Sequence, residues 1–538
     1  MTFIRHTLAA SAGVVGLATA LQAQAPEQAV FLVRLGRDTL SVEKASFSPG
    51  HAESSQLLRT PLMRVERSFT LAADGTLQSV TLTQRVGARA DSVVALVDLT
   101  VTGDSGVLRM RTAPSAGGQT SRIAVPRGAV HFVNLSSVSI EFVLRRARAS
   151  QRDTVVVPLL VPTGQTIDAR VVKIGTDSAV FTAGGVDVRL RTDAIGRMLG
   201  GVVPTQNVVF ERLPGDSPVG GWLPGGANAA PVNYDAPAGA PYTAEQVTIR
   251  TRAGLALAGT FTMPKHAAGS RVPAVVLITG SGPEDRDEAS AFLNASYRPF
   301  REIADTLSRR GVAVLRLDDR GVGGSDAGSP QATSADFADD IRAGLDWLRH
   351  RADVAPERLG LIGHSEGGMI APMIASTDPM VHALVIIGAP AQSGRDISAF
   401  QRHYAIDHDP SIAPAARDSA FAVSERAVET AFASPGWLQF WANYDPLPAA
   451  RRVTVPTLIL QGETDTQVTP DQAATLAKAM RDGGNGKVTV RTFPRMNHLM
   501  LEDASGDSRG YASLPSYRVR RDFLGVVAEW IARTFASN

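Results

Sequence analysis

Leu359-Gly360-Leu361-Ile362-Gly363-His364-Ser365-Glu366-Gly367-Gly368-Met369-Ile370 passes from a short apolar run, through a serine flanked by glycines, into residues with helical spacing that continue to Met373. An apolar run of this length bounded by glycine reads as a buried strand. Glycines on both sides of Ser365 allow the tight strand-to-helix turn that lifts the hydroxyl above a sheet, and the helix N-terminus behind it favours developing negative charge. The bare pattern is not enough. Gly506-Asp507-Ser508-Arg509-Gly510 repeats it, but no apolar strand precedes that copy, so it reads as a loop.

Outward from this turn, short apolar runs alternate with helical stretches. Ala274–Ile278, Ala313–Leu317, Leu359–Ile362, Ala383–Ile387, Thr457–Leu460 and Val488–Val490 read as parallel strands, with helices such as Phe337–Arg351 between them. A hairpin of Val247–Arg250 and Leu257–Phe261 comes first. The pattern predicts a doubly wound, mostly parallel α/β domain.

Partners for Ser365 follow in chain order. Asp465, in Gly462-Glu463-Thr464-Asp465, lies just beyond the strand at 457–460, where catalytic groups gather in open α/β sheets. His498, in Phe493-Pro494-Arg495-Met496-Asn497-His498, follows the strand at 488–490. A serine hydroxyl is a poor nucleophile until a neutral imidazole takes its proton, and a carboxylate then orients and stabilises the imidazolium. These roles fall to Ser365, His498 and Asp465; Asp503 and Glu463 are competing acids less well placed for the order. An oxyanion hole needs two backbone donors, assigned to the N–H of Glu366 and to Ser281 (over Gly282) in the loop Thr279-Gly280-Ser281-Gly282-Pro283. Gly282 and Arg286 are candidate substrate contacts. A charge beside the nucleophile is costly to bury alone, so Arg286 is expected to pair with Glu366, while Arg320 is expected to pin a loop.

Together these motifs resemble the α/β-hydrolase superfamily, in particular bacterial esterases of the serine aminopeptidase-like and dienelactone hydrolase-like group. The resemblance rests on Gly280-Ser281-Gly282-Pro283-Glu284-Asp285-Arg286-Asp287, Asp318-Asp319-Arg320-Gly321-Val322-Gly323-Gly324-Ser325, Gly363-His364-Ser365-Glu366-Gly367-Gly368 and the Asp465 and His498 loops, and it covers about residues 245 to 536. It implies hydrolysis of carboxylic esters through an acyl-enzyme, with no cofactor and no metal. The main alternative is a serine peptidase or aminopeptidase of the same fold. An aspartate nucleophile, as a dehalogenase requires, is missing at Ser365. Some 65 residues separate the strands at 383–387 and 457–460, too many for one crossover helix. A helical cap is therefore expected at about 391–453; it carries Trp437 and Trp441, which are candidate substrate contacts.

Between Val30 and Leu213 the period is two, as in Phe31–Leu35, Leu77–Leu82 and Val186–Leu190, with Asp-Gly turn signals between runs. This predicts an all-β antiparallel region over 26–213, built as a sandwich or two small subdomains with a break near Ala149–Asp153. Residues 214–242 are dominated by Pro, Gly and Ala and read as a linker to a catalytic domain at 243–538. A third reading makes the β-rich region a surface- or polymer-binding module, with hydrolysis secondary.

The chain of 538 residues is long enough for several domains, and 54 Lys+Arg against 52 Asp+Glu, with no basic run interleaved with aromatics, argues against nucleic acid as a partner. Zero cysteines exclude disulfides, thiolate metal sites and a cysteine nucleophile. Arg5 and His6, the apolar run Leu8–Leu21 and Ala23-Gln24-Ala25 have the layout of an export signal over residues 1–25. No later segment has the length and hydropathy of a membrane span. The expectation is an exported, periplasmic or secreted enzyme acting on a small ester.

Overall fold

A computed structural model describes residues 25–35, 38–58, 63–86, 92–112, 118–133, 136–162, 164–183, 186–203, 208–217, 232–289, 296–329, 331–408, 412–433 and 435–536. Apart from Ala25, the expected export signal lies outside the described residues, as do residues 218–231 of the expected linker.

The N-terminal region is a large, mostly antiparallel sheet. Its first meander is β1 (Glu27–Leu35), β2 (Asp38–Ser48), β3 (His51–Leu58), β4 (Met63–Leu71), β5 (Leu77–Val86), β6 (Ser92–Thr102), β7 (Ser105–Thr112) and β8 (Gln119–Ala124). The second is β9 (Val130–His131), helix α1 (Ser137–Ala149), β10 (Thr154–Leu160), β11 (Thr166–Ile174), β12 (Ser178–Ala183), β13 (Val186–Thr192), β14 (Met198–Val203) and β15 (Val208–Pro214). The meanders join where β1 pairs antiparallel with β15, Ala29 opposite Pro214 and Leu35 opposite Val208. Among the described strands of this sheet, only β9 and β10 run parallel.

Two expectations are corrected here. The strands form one 15-stranded sheet rather than a two-sheet sandwich or separate subdomains, and the region is not all β. The first difference follows from β1, which is apolar on both faces. Phe31 and Val33 enter one core while Val30 and Leu32 enter another, so β1 sits between two neighbours as a central strand. Contact between β5 and β9 brings the sheet back on itself. The second difference follows from local capping. Ser136 accepts a hydrogen bond from the Ser139 N–H at 3.2 Å, and the Glu43 carboxylate of β2 accepts those of Ser137 (2.7 Å) and Val138 (3.3 Å). A carboxylate at a helix N-terminus satisfies orphan donors and complements the dipole. Val138, Val143, Leu144 and Ala147 then bury one face of α1 in the core.

The C-terminal region has the α/β-hydrolase fold. In chain order it comprises β16 (Tyr242–Arg250), β17 (Ala256–Pro264), β18 (Val272–Ile278), α2 (Pro299–Ser308), β19 (Ala313–Leu317), α3 (Ser334–Arg349), β20 (Val354–His364), α4 (Glu366–Ala375), β21 (Ala383–Ile387), α5 (Gly394–Asp407), α6 (Arg417–Phe432), α7 (Trp437–Asn443), α8 (Leu447–Arg451), β22 (Thr457–Gly462), α9 (Asp471–Asp482), β23 (Val488–Phe493) and α10 (Arg521–Ala536). The sheet order is β16-β17-β19-β18-β20-β21-β22-β23; β17 runs antiparallel to both its neighbours, β16 and β19, and the remaining pairs are parallel. Alternate residues of β18 serve two cores. Val276 and Ile278 pack with Ile341 of α3, Ile370 of α4 and Leu476 of α9, while Val275 and Leu277 pack with Phe300 of α2 and Phe523 of α10. Each fully buried large apolar side chain stabilises by about 1.5–3 kcal/mol, so burial on both faces accounts for the continuous apolar runs.

After β18 the chain moves first to β19 on one side and then to β20 on the other. That reversal opens a crevice beyond the carboxyl ends of β18 and β20. No helix among the described residues is long and apolar enough to cross a membrane.

Candidate active site

Ser365 joins β20 to α4 at φ 52° and ψ −117°. A side-chain-bearing residue in the left-handed region costs about 1–3 kcal/mol, and such strain persists only where the surroundings enforce it. They do so here. The Ser365 N–H donates to Ile387 O at 2.9 Å, and a Cβ on Gly367 would stand 2.1 Å from Ile278 O. Only glycine at 367 lets the helix start pass so close to β18.

Ser365 and His498 line one cavity of about 310 Å³. His498 Nδ1 lies 2.8 Å from Asp465 Oδ2, with both side chains buried. The loop after β22 holds Asp465: its Oδ1 accepts the N–H groups of Gln467 and Val468, both at 2.9 Å, and its Oδ2 accepts from Gln461 Nε2 at 3.0 Å. Such bonds fix the orientation of the carboxylate. Gly388, at φ +53°, leaves room for this pair; a Cβ there would lie 3.3 Å from His498 Nδ1. The competing acids are engaged elsewhere, Asp503 with Asn497 Nδ2 (3.2 Å) and Glu463 with Thr492 Oγ1 (2.8 Å).

The remaining candidates divide between two places. Ser281, Glu366, Trp437 and Trp441 line the cavity with Ser365. The two indoles stack at 5.7 Å, and Trp437 Nε1 donates to Glu366 Oε1 at 2.8 Å. Gly282 instead lines a smaller adjoining cavity beside Asp319 and Phe337.

Arg286 requires a correction, since it does not pair with Glu366. Its guanidinium forks onto Asp318, with Nε to Oδ1 at 2.9 Å and Nη2 to Oδ2 at 2.7 Å. Its Nη1 donates to Gln246 and Thr260, and the Tyr234 ring covers it at 4.3 Å. Fully used, it is a clamp between β19 and its neighbours and not a contact of the Ser365 cavity. Glu366 is satisfied instead by Ser334 Oγ (2.6 Å), Trp437 and the Ser281 side chain, while burial still raises its carboxyl above the usual range. Arg320 bonds Asp340 at 2.9 Å and the Asp336 carbonyl at 3.1 Å, the loop-pinning role expected of it.

Three cavity residues escaped the sequence reading. His364 is buried next to the nucleophile, its Nδ1 2.7 Å from Glu288 Oε1 and its Nε2 2.9 Å from the carbonyl of His498. Glu288, at φ 55°, also accepts the Gly280 N–H at 2.8 Å. Burial alone would lower the His364 pKa, but the Glu288 carboxylate outweighs it and the imidazolium is favoured. Beside them Glu284 is pushed well above the usual carboxylate range by burial, then by the charges of Glu288 and Asp319. The motif Pro283-Glu284-Asp285-Arg286-Asp287-Glu288 carried the signal, four acids and an arginine after a strand, without saying which acid turns inward.

Residues 299–520 match the prolyl oligopeptidase family. The esterase EstD of Thermotoga maritima is 27% identical over 285 residues, covering 52% of this chain and 66% of EstD. An uncharacterized peptidase of Bacillus subtilis, YuxL, is 24% identical over 296 residues, covering 53% of this chain and 38% of YuxL. The matched part is thus less than two thirds of either relative's length. Among solved structures, the Pyrococcus furiosus esterase Pf2001 has a TM-score of 0.40 at 17% identity, covering 56% of this chain and 96% of that one. With its strand order, its turn at Ser365 and its family match, the C-terminal half of this chain is an α/β-hydrolase domain with esterase relatives.

Proposed function

We propose that the protein is a serine carboxylesterase that works through an acyl-enzyme. The observation that carries this reading is Ser365 on its strained turn, sharing one cavity with a His498 whose other ring nitrogen faces Asp465 at 2.8 Å. His498 Nε2 takes the Ser365 proton as Oγ attacks the ester carbonyl. The oxyanion is met by the N–H groups of Glu366 and Ser281, His498 returns the proton to the departing alcohol, and water activated by the same ring releases the acid. Helices α5–α8 act as the cap expected at 391–453, with Trp437 and Trp441 shaping the acyl pocket. The chain acts as an exported enzyme on small esters, without cofactor or metal.

A peptidase reading is favoured by one observation, the match of residues 299–520 to the prolyl oligopeptidase family. Both readings meet in one experiment. p-Nitrophenyl esters from acetate to palmitate are assayed beside amino-acid p-nitroanilides, with Ser365→Ala as control. Ester turnover that falls on the order of 10⁴-fold or more in the variant supports the esterase. Turnover of anilides alone supports the peptidase, and turnover surviving in Ser365→Ala removes Ser365 from the mechanism.

A further inference from the structure

A second cavity, of about 800 Å³, lies in the N-terminal region between α1 and the sheet. Well-packed interiors leave few voids larger than a water molecule, and this volume falls in the range of small-molecule sites. Its apolar wall is aromatic. Phe142 of α1 meets Phe47 and Phe69 edge to face at 6.2 and 5.2 Å.

Two polar features of this cavity lack hydrogen-bond partners among the described residues. His131, buried in the wall at 2% exposure, has no hydrogen-bond partner at either ring nitrogen. Burial and then the charge of Arg67 push its pKa down to about 3, so at neutral pH it offers one N–H donor and one acceptor, both unused. An unsatisfied buried polar group costs about 1–3 kcal/mol, a cost that an incoming polar group would relieve.

Arg127 and Arg146 also line the cavity, and among the described residues neither has a hydrogen bond or ion pair. Arg145, one residue along α1, is by contrast committed to Glu141 and Glu27. Two uncommitted arginines stand against a single lining carboxylate, Asp74, whose charge acts on both and which also accepts the Thr76 N–H at 2.9 Å, so the lining keeps an excess of positive charge. The charge complement of this lining is an anion, and the aromatic wall calls for an apolar body behind it.

We propose that the N-terminal region is a binding site for an amphipathic carboxylate of the fatty-acid type, its apolar chain against Phe47, Phe69 and Phe142 and its head group at Arg127 and Arg146. Such an anion is the chemical class that hydrolysis of an acyl ester releases, but the site stands on its own lining and not on the hydrolase assignment.

Calorimetric titration of the full chain with dodecanoate, and in parallel with dodecan-1-ol and dodecyl phosphate, tests it. The expected result is saturable binding of dodecanoate at one site, weakened about tenfold or more in Arg127→Gln/Arg146→Gln and in the alcohol, with p-nitrophenyl acetate hydrolysis by the double variant unchanged. Leu77→Trp, which narrows the cavity without touching the arginines, is expected to lower dodecanoate affinity as well; circular dichroism establishes that each variant is folded. Equal affinity for acid and alcohol would overturn the head-group assignment, and tighter binding of the phosphate would overturn the choice of a carboxylate. No saturable binding of dodecanoate, or binding that neither folded variant weakens, would overturn the site itself.

Discussion

His364 Nε2 lies 2.9 Å from the backbone carbonyl of His498, so the residue before the nucleophile holds the loop that carries the imidazole facing Asp465. A carbonyl can only accept, so His364 Nε2 must carry a hydrogen. Its Nδ1 faces the Glu288 carboxylate at 2.7 Å, a partner that raises the His364 pKa and so favours a hydrogen there too. Glu288, His364 and His498 thus form a buried chain from the loop after β18 to the loop after β23, with the Gly280 N–H as a further donor to Glu288.

Glu288→Gln should keep the acceptor for Gly280 but remove the charge that favours the His364 imidazolium. A folded pKa raised above the unfolded value of about 6.5 contributes stability that is full below that value and is lost as pH rises through the folded pKa. The melting temperature of the variant should therefore fall below that of the parent chain by more at pH 6 than at pH 9. The gap at pH 6 should correspond to about 1.5–3 kcal/mol, typical of a hydrogen bond to a charged group. An equal gap at both pH values would mean that His364 is neutral in the fold.

Asp465→Asn should leave the loop geometry nearly intact, since its backbone donors remain, but should cost on the order of 10⁴ in kcat by losing the carboxylate that orients the ring. Steady-state kinetics on p-nitrophenyl acetate reads this. A loss under tenfold would transfer the orienting role to another group.

Trp437→Ala should remove one indole of the stacked pair and the donor to Glu366. For esters whose acyl group fills the cavity, kcat/KM should drop about tenfold, with a smaller loss for acetate, because apolar contacts discriminate by pocket filling. A uniform loss across chain lengths would place Trp437 outside the acyl pocket.

Gly367→Ala should destabilise by several kcal/mol, because the added Cβ meets the carbonyl of Ile278, a backbone atom that cannot swing away. Gly254→Ala has open space around its Cβ and should cost only the strain of its φ of +85°. Denaturant melts of the two variants separate steric clash from backbone preference.

His131 gives the N-terminal region an acid-sensitive point. Its folded pKa of about 3 lies below the unfolded 6.5, so the unfolded chain binds the extra proton between those values and stability falls as pH drops from 6.5 toward 3. His131→Phe should flatten that slope, by at most about 1.4 kcal/mol per pH unit. Thermal melts of the two proteins at pH 7 and pH 4.5 provide the comparison.

The α/β half was legible because its signals are local. Ala313–Leu317 and Ala383–Ile387 are strands to the residue, and the helix expected at 337–351 runs from Ser334 to Arg349. Ser365, Asp465 and His498 could be named because each follows its own strand in the expected order. Pairings set by tertiary structure were not legible. Arg286 and Glu366 both looked in need of a partner, but nothing in the chain says that Asp318 takes the first and that Ser334 and Trp437 take the second. Glu288 and His364 are 76 residues apart. Helix α1 did leave a trace, Ser136 before apolar residues at 138, 143, 144 and 147, but the period-two strands on both sides masked it.

The pairing of β1 with β15 sets the first and last strands of the N-terminal region side by side, so its chain enters and leaves at one place. A unit of this kind can be spliced between or ahead of other domains while its ladders stay intact, and it can be circularly permuted by linking Pro214 to Glu27 and reopening the chain at a hairpin such as β6–β7. The same closure makes its folding slow. The β1–β15 ladder joins residues about 180 positions apart, so it forms only after nearly the whole region has left the ribosome, and until then the apolar edge of β1 is exposed to self-association.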